Sequence, residues 1–277
     1  MNAPTAPSRD LRVSLVQAAT VWHDAAANRA LYGELVRPLA GQTDLVVLPE
    51  TFTSGFSNEA IGEAETMDGP SVAWLRGLAV EVGAAITGSM VIRAGDHVFN
   101  RLLFATPDGA LAHYDKRHLF RMAGEHERYA AGGPKRVVEW CGWRICLQVC
   151  YDLRFPVFAR NVFDEAAQRF DYDLILWVAN WPAARRYAWQ TLLRARAIEN
   201  LACVVGVNRV GVDGNAIAYA GDSVALDALG QPLVELGALP QVVTTRLDAE
   251  GLRAHRQRFP AQLDADRFQI LWNRDPS

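Results

Sequence analysis

The sequence predicts an α/β fold in which two sheets pack together and helices cover them. Strand patterns alternate with helix patterns along most of the chain, and hairpin signals occur between them. No internal repeat, low-complexity tract or linker divides the 277 residues, a length that single large sandwiches reach. We therefore expect one domain over residues 11–277, after a loose tail over residues 1–10 with two prolines and no periodic pattern.

The first half of the chain contains most of the predicted strands. Residues 11–17 alternate as a strand does, and apolar residues then recur every fourth position from Ala27 to Leu39, as on a helix face. Residues 45–48 form an unbroken apolar run, which is typical of a strand covered on both faces. The pattern then predicts a helix over residues 71–82 and strands over residues 84–93, 99–106 and 111–114.

The second half begins with a predicted hairpin that turns at Cys141 and Gly142. Its two strands cover residues 136–140 and 143–149. The patterns that follow predict a helix from Pro156, a strand over 174–178, a helix over 187–200, a buried strand over 202–207, a hairpin around 228–230, a strand over 242–247 and a short helix up to Phe259.

Composition excludes several classes of partner. The net charge of −3 provides no positive field for a phosphate backbone, so we expect no nucleic acid. No apolar run is long enough to span a bilayer, and the first ten residues lack the features of a signal peptide. We expect no membrane partner and a cytoplasmic location, with the four cysteines present as reduced thiols.

Three residues with reactive side chains each follow a predicted strand. Glu50 follows residues 45–48, Lys116 follows residues 111–114, and Cys150 follows residues 143–149. In layered α/β folds, ligands bind where the carboxyl ends of strands meet. A carboxylate, an ammonium and a thiol could therefore share one crevice.

Three segments of the sequence resemble the Glu, Lys and Cys motifs of the nitrilase superfamily, the carbon–nitrogen hydrolases. They are LPETFTSGF, YDKRHLF and VCYDLRFP. The resemblance extends to residues 178–182, 194–200 and 221–223, and so covers roughly residues 11 to 250. It implies a four-layer αββα sandwich that forms homodimers through helices near the nucleophile. Within the superfamily the chain is most similar to the ω-amidases, which hydrolyse the terminal amide of 2-oxo acids such as 2-oxoglutaramate.

The resemblance also implies the roles of the reactive residues. Cys150 is the expected nucleophile, Glu50 the general base and acid, and Lys116 an oxyanion donor together with the backbone N–H of Tyr151. A second glutamate is expected in the loop after the lysine. Glu125 matches its spacing better than Glu127, which remains an alternative. No metal or organic cofactor is required.

Other residues near these motifs have weaker assignments. Trp181 is as well suited to the core as to the wall of a substrate pocket. Arg185 and Arg186 could bind the carboxylate of a 2-oxo acid. Asp152 and Arg154 are expected to form a structural ion pair. The remaining residues are assigned no functional role. Cys146 and Cys203 are predicted core residues, and the histidines and cysteines lack metal-ligand spacing.

Competing functions remain open at this point. The same residues could act on a nitrile, an N-carbamoyl amine, a ureide or another amide, or transfer the acyl group to another acceptor. Cys150 could instead pair with His118 or His126, as in cysteine proteases, but no local signature favours this. A non-catalytic binding protein on the same scaffold is disfavoured because Glu50, Lys116 and Cys150 are all present.

Overall fold

The computed structural model describes residues 7–271, so residues 1–6 of the predicted tail and the last six residues of the predicted domain lie outside the described residues. In chain order, the strands are β1 (Leu11–Gln17), β2 (Leu45–Val47), β3 (Ala85–Ala94), β4 (His97–Ala105), β5 (Leu111–Asp115), β6 (Arg136–Trp140), β7 (Trp143–Val149), β8 (Phe163–Asp164), β9 (Arg169–Phe170), β10 (Leu174–Ala179), β11 (Cys203–Asn208), β12 (Val210–Val212), β13 (Ala218–Ala220), β14 (Val224–Leu226), β15 (Pro232–Glu235) and β16 (Gln241–Leu247). The α-helices are α1 (Ala25–Val36), α2 (Pro70–Val82), α3 (Pro156–Ala159), α4 (Arg186–Asn200) and α5 (Ala249–Arg258). Short 3₁₀ helices occur at Arg37–Leu39, Glu59–Glu63, Arg121–Ala123, Glu125–Glu127, Cys150–Arg154, Ala183–Arg185 and Ala261–Asp264.

Two six-stranded sheets form the centre of the fold. The first has the strand order β16-β1-β2-β3-β4-β5, and the second has the order β15-β14-β11-β10-β7-β6. In the first sheet, β2 pairs in parallel with both β1 and β3, and in the second sheet β10 pairs in parallel with both β7 and β11. Their carboxyl ends therefore meet at one edge of each sheet, which is where the candidate residues were predicted to lie.

The side chains of each strand alternate between two cores. Leu45 and Val47 contact the core between the sheets, whereas Val46 packs beneath α1 and α2. In the second sheet, Leu176 faces the core between the sheets and Trp177 packs with the apolar residues of α4. Burying each such side chain contributes about 1.5–3 kcal/mol. This double burial confirms the predicted four-layer αββα sandwich.

Some features differ from the sequence-based expectations. The hairpins β8–β9 and β12–β13 were not predicted, because strands of two or three residues are too short to show a period. Residues 7–10 also differ from the loose tail that the sequence predicted. Pro7 is buried, the carbonyl of Arg9 accepts a hydrogen bond from Trp143 Nε1 at 2.8 Å, and Asp10 accepts one from the backbone of Ala249. No helix within residues 7–271 is long and apolar enough to cross a membrane.

Candidate active site

One pocket brings together the three residues that follow strands. Glu50 lies after β2 in the first sheet, Lys116 directly follows β5 of the same sheet, and Cys150 directly follows β7 of the second sheet. All three line the same pocket. Glu50 and Lys116 are almost wholly removed from solvent, so their charges act on one another in a medium of low polarity.

Lys116 is held between two carboxylates. Its Nζ atom donates to Glu50 Oε1 at 3.1 Å and to both oxygens of Glu125, at 3.0 and 2.9 Å. Burial opposes the charged ammonium, but the charges of Glu125 and Glu50 outweigh it, and the pKa of Lys116 is raised. The side chain of Glu127 is 71% exposed. The geometry thus favours Glu125 over Glu127 as the second glutamate.

Two asparagines orient Glu50, and sequence reasoning assigned neither of them a role. Asn100 Nδ2 donates to Glu50 Oε1 at 2.8 Å, and the backbone N–H of Asn180 donates to Oε2 at 2.7 Å. Asn180 Nδ2 also donates to the backbone carbonyl of Glu50 at 2.8 Å. Asn100 lies within β4, and Asn180 directly follows β10. For Asn100 the sequence signal was a polar residue within an otherwise apolar strand, and for Asn180 it was the position at a strand end within the family-like segment 178–182.

Cys150 occupies a strained backbone position. Its φ of 41° is in the left-handed region, which disfavours residues with a side chain. Burial raises the pKa of its thiol well above the usual value, the charge of Glu50 raises it further, and that of Lys116 lowers it. These surroundings therefore favour the neutral thiol over the thiolate. The thiol needs a base at the moment of reaction, and Glu50 is the carboxylate that contacts it.

The backbone of Lys116 is fixed on both sides. Its N–H donates to the carbonyl of Asn100 at 3.0 Å, and its carbonyl accepts from the N–H of Gly132 at 2.9 Å. A Cβ atom on Gly132 would lie 1.9 Å from the carbonyl oxygen of Asp115. The absence of a side chain at Gly132 is thus a condition for the close approach that holds Lys116.

Aromatic and apolar side chains form most of the pocket wall. Trp181 is one of them, and its indole N–H donates to the carbonyl of Arg185 at 2.9 Å. The unpredicted hairpin β12–β13 contributes Tyr219, whose hydroxyl donates to Asp213 at 2.7 Å, and the connection before β13 contributes Ile217. The other apolar lining residues are Phe56, Phe120, Ala123, Tyr151 and Pro182.

The arginines at the pocket differ from the predicted pair. Arg185 lines the pocket, with its guanidinium group 5.2 Å from the centre of the Phe120 ring. Arg186 does not line it. Its guanidinium group forms a bidentate ion pair with Asp222, at 3.0 and 2.6 Å, and this pair directs the side chain away from the pocket. The prediction that Arg186 binds substrate is therefore wrong.

Arg154 lies at the pocket instead of forming the predicted ion pair with Asp152. Its guanidinium group is 5.0 Å from the centre of the Trp181 ring. The fully buried Asp152 side chain accepts hydrogen bonds from Tyr114, His118 and Val149. The expected pair is thus absent, because Asp152 faces the protein interior while Arg154 is exposed.

The histidine alternative finds no support in this geometry. His118 Nδ1 is 2.7 Å from Asp152 Oδ1, and its ring stacks on Phe155. His126 Nε2 lies 3.8 Å from Glu127. Neither histidine lines the pocket that contains Cys150. A Cys–His pair is therefore not formed here.

The four-layer sandwich and its buried group of carboxylates, ammonium and thiol define an enzyme that hydrolyses amides. The family model for carbon-nitrogen hydrolases matches residues 12–257. The chain belongs to the carbon–nitrogen hydrolase family, as its resemblance to the nitrilase superfamily predicted.

Individual relatives agree with this membership. Omega-amidase YafV of Yersinia enterocolitica is 50% identical over 267 residues, covering 94% of this chain and 99% of the relative. The 2-oxoglutaramate amidase of Bacillus subtilis is 32% identical, covering 78% and 83%. A CN-hydrolase superfamily protein from Xanthomonas campestris, whose crystal structure has an arsenic adduct in the active site, is 65% identical. It superposes with a TM-score of 0.93 over 95% of this chain and 99% of that one.

Proposed function

We propose that this protein is an ω-amidase, which hydrolyses the terminal amide of a short 2-oxo acid and releases ammonia. The observation that carries the proposal is that one pocket holds both a reactive group and cationic side chains that suit a carboxylate. Glu50, Lys116 and Cys150 lie together in it, and two arginines, Arg154 and Arg185, add guanidinium groups to its lining. The similarity to relatives named omega-amidase and 2-oxoglutaramate amidase supports the same substrate class.

In the first half of the reaction, Cys150 attacks the amide carbon. Glu50 accepts the thiol proton as the sulfur–carbon bond forms, which overcomes the raised pKa of the buried thiol. The tetrahedral intermediate carries its negative charge on the former carbonyl oxygen. When the carbon–nitrogen bond breaks, the proton on Glu50 passes to the nitrogen, and ammonia leaves a thioester on Cys150.

The second half hydrolyses this thioester. Glu50 deprotonates a water molecule as its oxygen attacks the thioester carbon. When the carbon–sulfur bond breaks, the proton on Glu50 passes to the sulfur, which restores the thiol and the Glu50 carboxylate and releases the carboxylic acid product. In both halves, Lys116 and the backbone N–H of Tyr151 stabilise the oxyanion. Tyr151 is the second residue of the short helix Cys150–Arg154, and the first N–H groups of a helix lack partners within it. Glu125 holds the ammonium of Lys116 in place.

The substrate carboxylate would bind Arg154 and Arg185. Within residues 7–271 neither guanidinium group forms an ion pair, and both rest against aromatic rings, over Trp181 and Phe120 respectively. A guanidinium group binds a carboxylate with two parallel hydrogen bonds. Fixing both ends of a short substrate places its amide against the thiol, and this orientation contributes to the rate. The same cations disfavour the α-ammonium group of glutamine.

An ammonia-release assay on a substrate panel tests the proposal. The panel contains 2-oxoglutaramate, glutamine, a simple nitrile and an N-carbamoyl amino acid, the last two representing the alternative functions within the family. We expect the highest kcat/KM on 2-oxoglutaramate. A nitrile or N-carbamoyl compound preferred over every amide would contradict the substrate assignment and leave the family membership intact.

We further propose that the protein forms homodimers and works in the cytoplasm. Exposed apolar side chains on two helices of the second sheet's outer layer support a dimer, namely Val157 on α3 and Tyr187 and Ile198 on α4. The four cysteines are free thiols, as expected for a reducing compartment. Size-exclusion chromatography with light scattering should give twice the chain mass, and a monomer at micromolar concentration would contradict the dimer.

A further inference from the structure

A single buried carboxylate connects the segments that contain Lys116 and Cys150. Asp152 is fully buried, and its Oδ1 atom accepts from the backbone N–H of His118 at 2.9 Å and lies 2.7 Å from His118 Nδ1. Its Oδ2 atom accepts from the hydroxyl of Tyr114 at 2.8 Å and from the backbone N–H of Val149 at 3.2 Å. Its partners are thus Tyr114 and His118, which lie two residues before and two residues after Lys116, and Val149, which directly precedes Cys150.

These two segments belong to different sheets. Lys116 follows β5 at the edge of the first sheet, and Cys150 follows β7 in the second. Strands of one sheet are aligned by their hydrogen-bond ladder, but sheets packed face to face are aligned only by side-chain contacts. A hydrogen-bonded carboxylate between them is more directional than apolar packing, because its bonds require a defined distance and angle.

The partners of Asp152 are themselves immobilised. The His118 ring stacks on Phe155 with 3.8 Å between ring centroids, and its face-to-edge contact with Phe158 measures 4.9 Å. The bond from the Val149 N–H closes the turn in which Cys150 has its strained φ of 41°. Asp152 therefore restrains the backbone at the point where strain would otherwise displace the thiol.

We infer that Asp152 is a positioning residue, which sets the place of the Lys116 ammonium relative to the Cys150 thiol across the interface between the sheets. This inference rests on the proposed function, in which both groups act on one substrate carbonyl. Asp152 does not line the pocket and touches no reacting atom. A displacement of about 1 Å between catalytic groups can reduce the rate on the order of 10²-fold.

Asp173 provides a matched control. It is also buried, with 1% of its surface exposed, and it accepts hydrogen bonds from Arg144 and Arg256. It lies immediately before β10, at the opposite end of the second sheet from Cys150. Replacing either aspartate by asparagine removes a buried carboxylate with several partners, so both variants should lose stability. Only the change at Asp152 should alter the relation between Lys116 and Cys150.

A double-mutant cycle on ammonia release tests the inference. Asp152→Asn should lower kcat at least about tenfold in the wild-type background, but by less than about twofold when Lys116 is already replaced by Ala. Asp173→Asn should leave kcat within about twofold at a temperature where circular dichroism shows each variant folded. Equal losses from Asp152→Asn in both backgrounds, or an equal loss from Asp173→Asn, would mean that Asp152 has only a structural role.

A second readout requires no substrate and separates this inference from the proposed function. Alkylation of Cys150 by iodoacetamide, followed by peptide mass mapping with half-buried Cys141 as the internal reference, reports how well Lys116 favours the thiolate. Asp152→Asn should slow the alkylation of Cys150 by up to about tenfold. In the Lys116→Ala background, the same change should not slow the alkylation further. If Asp152→Asn does not fold, Tyr114→Phe, which removes one of the bonds, is judged by the same criteria. A protein that hydrolyses no tested amide but shows this pattern would refute the ω-amidase proposal alone.

Discussion

Lys116 donates to both carboxylate oxygens of Glu125, at 3.0 and 2.9 Å, and the pair is almost wholly buried. The same ammonium also contacts Glu50 at 3.1 Å. Two buried carboxylates thus share one cation, and none of the three side chains can move without leaving a charge unpaired in a poorly solvated place. This rigidity suits a group that must act on a substrate oxygen without reorganising.

Replacing Glu125 by Gln should reduce turnover on the order of 10²-fold, because the ammonium of Lys116 loses its two-point anchor. Glu127→Gln is the matched control in the same 3₁₀ helix, and its exposed side chain should be dispensable. Steady-state ammonia release decides between them. Loss of activity in Glu127→Gln with Glu125→Gln unaffected would reverse the assignment of the second glutamate.

Lys116→Ala should lower kcat by at least on the order of 10²-fold, because an oxyanion donor is lost. The sequence contains only one other lysine, Lys135, whose side chain pairs with Asp171 away from the pocket. Lys135→Ala should retain turnover. A change in KM alone for Lys116→Ala, with kcat preserved, would argue against the oxyanion role.

Glu50→Gln should abolish acylation, because the amide cannot accept the proton of Cys150. No covalent intermediate should accumulate when the variant is mixed with substrate and examined by intact-protein mass spectrometry. Circular dichroism must first show the wild-type fold, since Gln places an N–H against the donors that now face Glu50. A trapped thioester would restrict Glu50 to the water step.

Arg154→Ala or Arg185→Ala should lower kcat/KM on 2-oxoglutaramate by about tenfold for at least one of them, with little effect on an uncharged amide. The expectation follows from the two guanidinium groups without ion pairs among the described residues at the pocket. Arg186→Ala is the comparison, because its ion pair with Asp222 should affect stability rather than substrate preference. Equal losses on charged and uncharged substrates would remove this specificity model.

Much of the fold could be predicted because strands β1 to β7 have clear apolar patterns. Leu45 to Leu48, for instance, is buried on both faces and reads as an unbroken apolar run. The alternation of strand, helix and hairpin patterns predicted two packed sheets covered by helices, and the family resemblance added the four-layer αββα arrangement. The hairpin β12–β13 has only three residues in each strand, so its contribution of Tyr219 to the pocket wall was not visible.

The site was predictable where a reactive residue ends a strand, as for Glu50 and Cys150. It was not predictable where the partner is distant in sequence. Arg186 is directed away from the pocket by Asp222, which lies 36 residues further along the chain. Asn100 read as an ordinary polar residue within a strand, and only the folded structure brings its amide to Glu50, 50 residues away in sequence.

The most direct test of the central claim is ammonia release from 2-oxoglutaramate by Cys150→Ala, measured beside Cys146→Ser. Cys146 is the buried cysteine within the same strand that leads to Cys150, so it controls for the loss of a thiol in this region. Cys150→Ala should keep the wild-type circular dichroism and show no turnover, because no other side chain can form the thioester. Cys146→Ser should remain active with some loss of stability from its buried hydroxyl. Near-wild-type turnover by Cys150→Ala, or complete inactivity of folded Cys146→Ser, would contradict the assignment of Cys150 as the nucleophile.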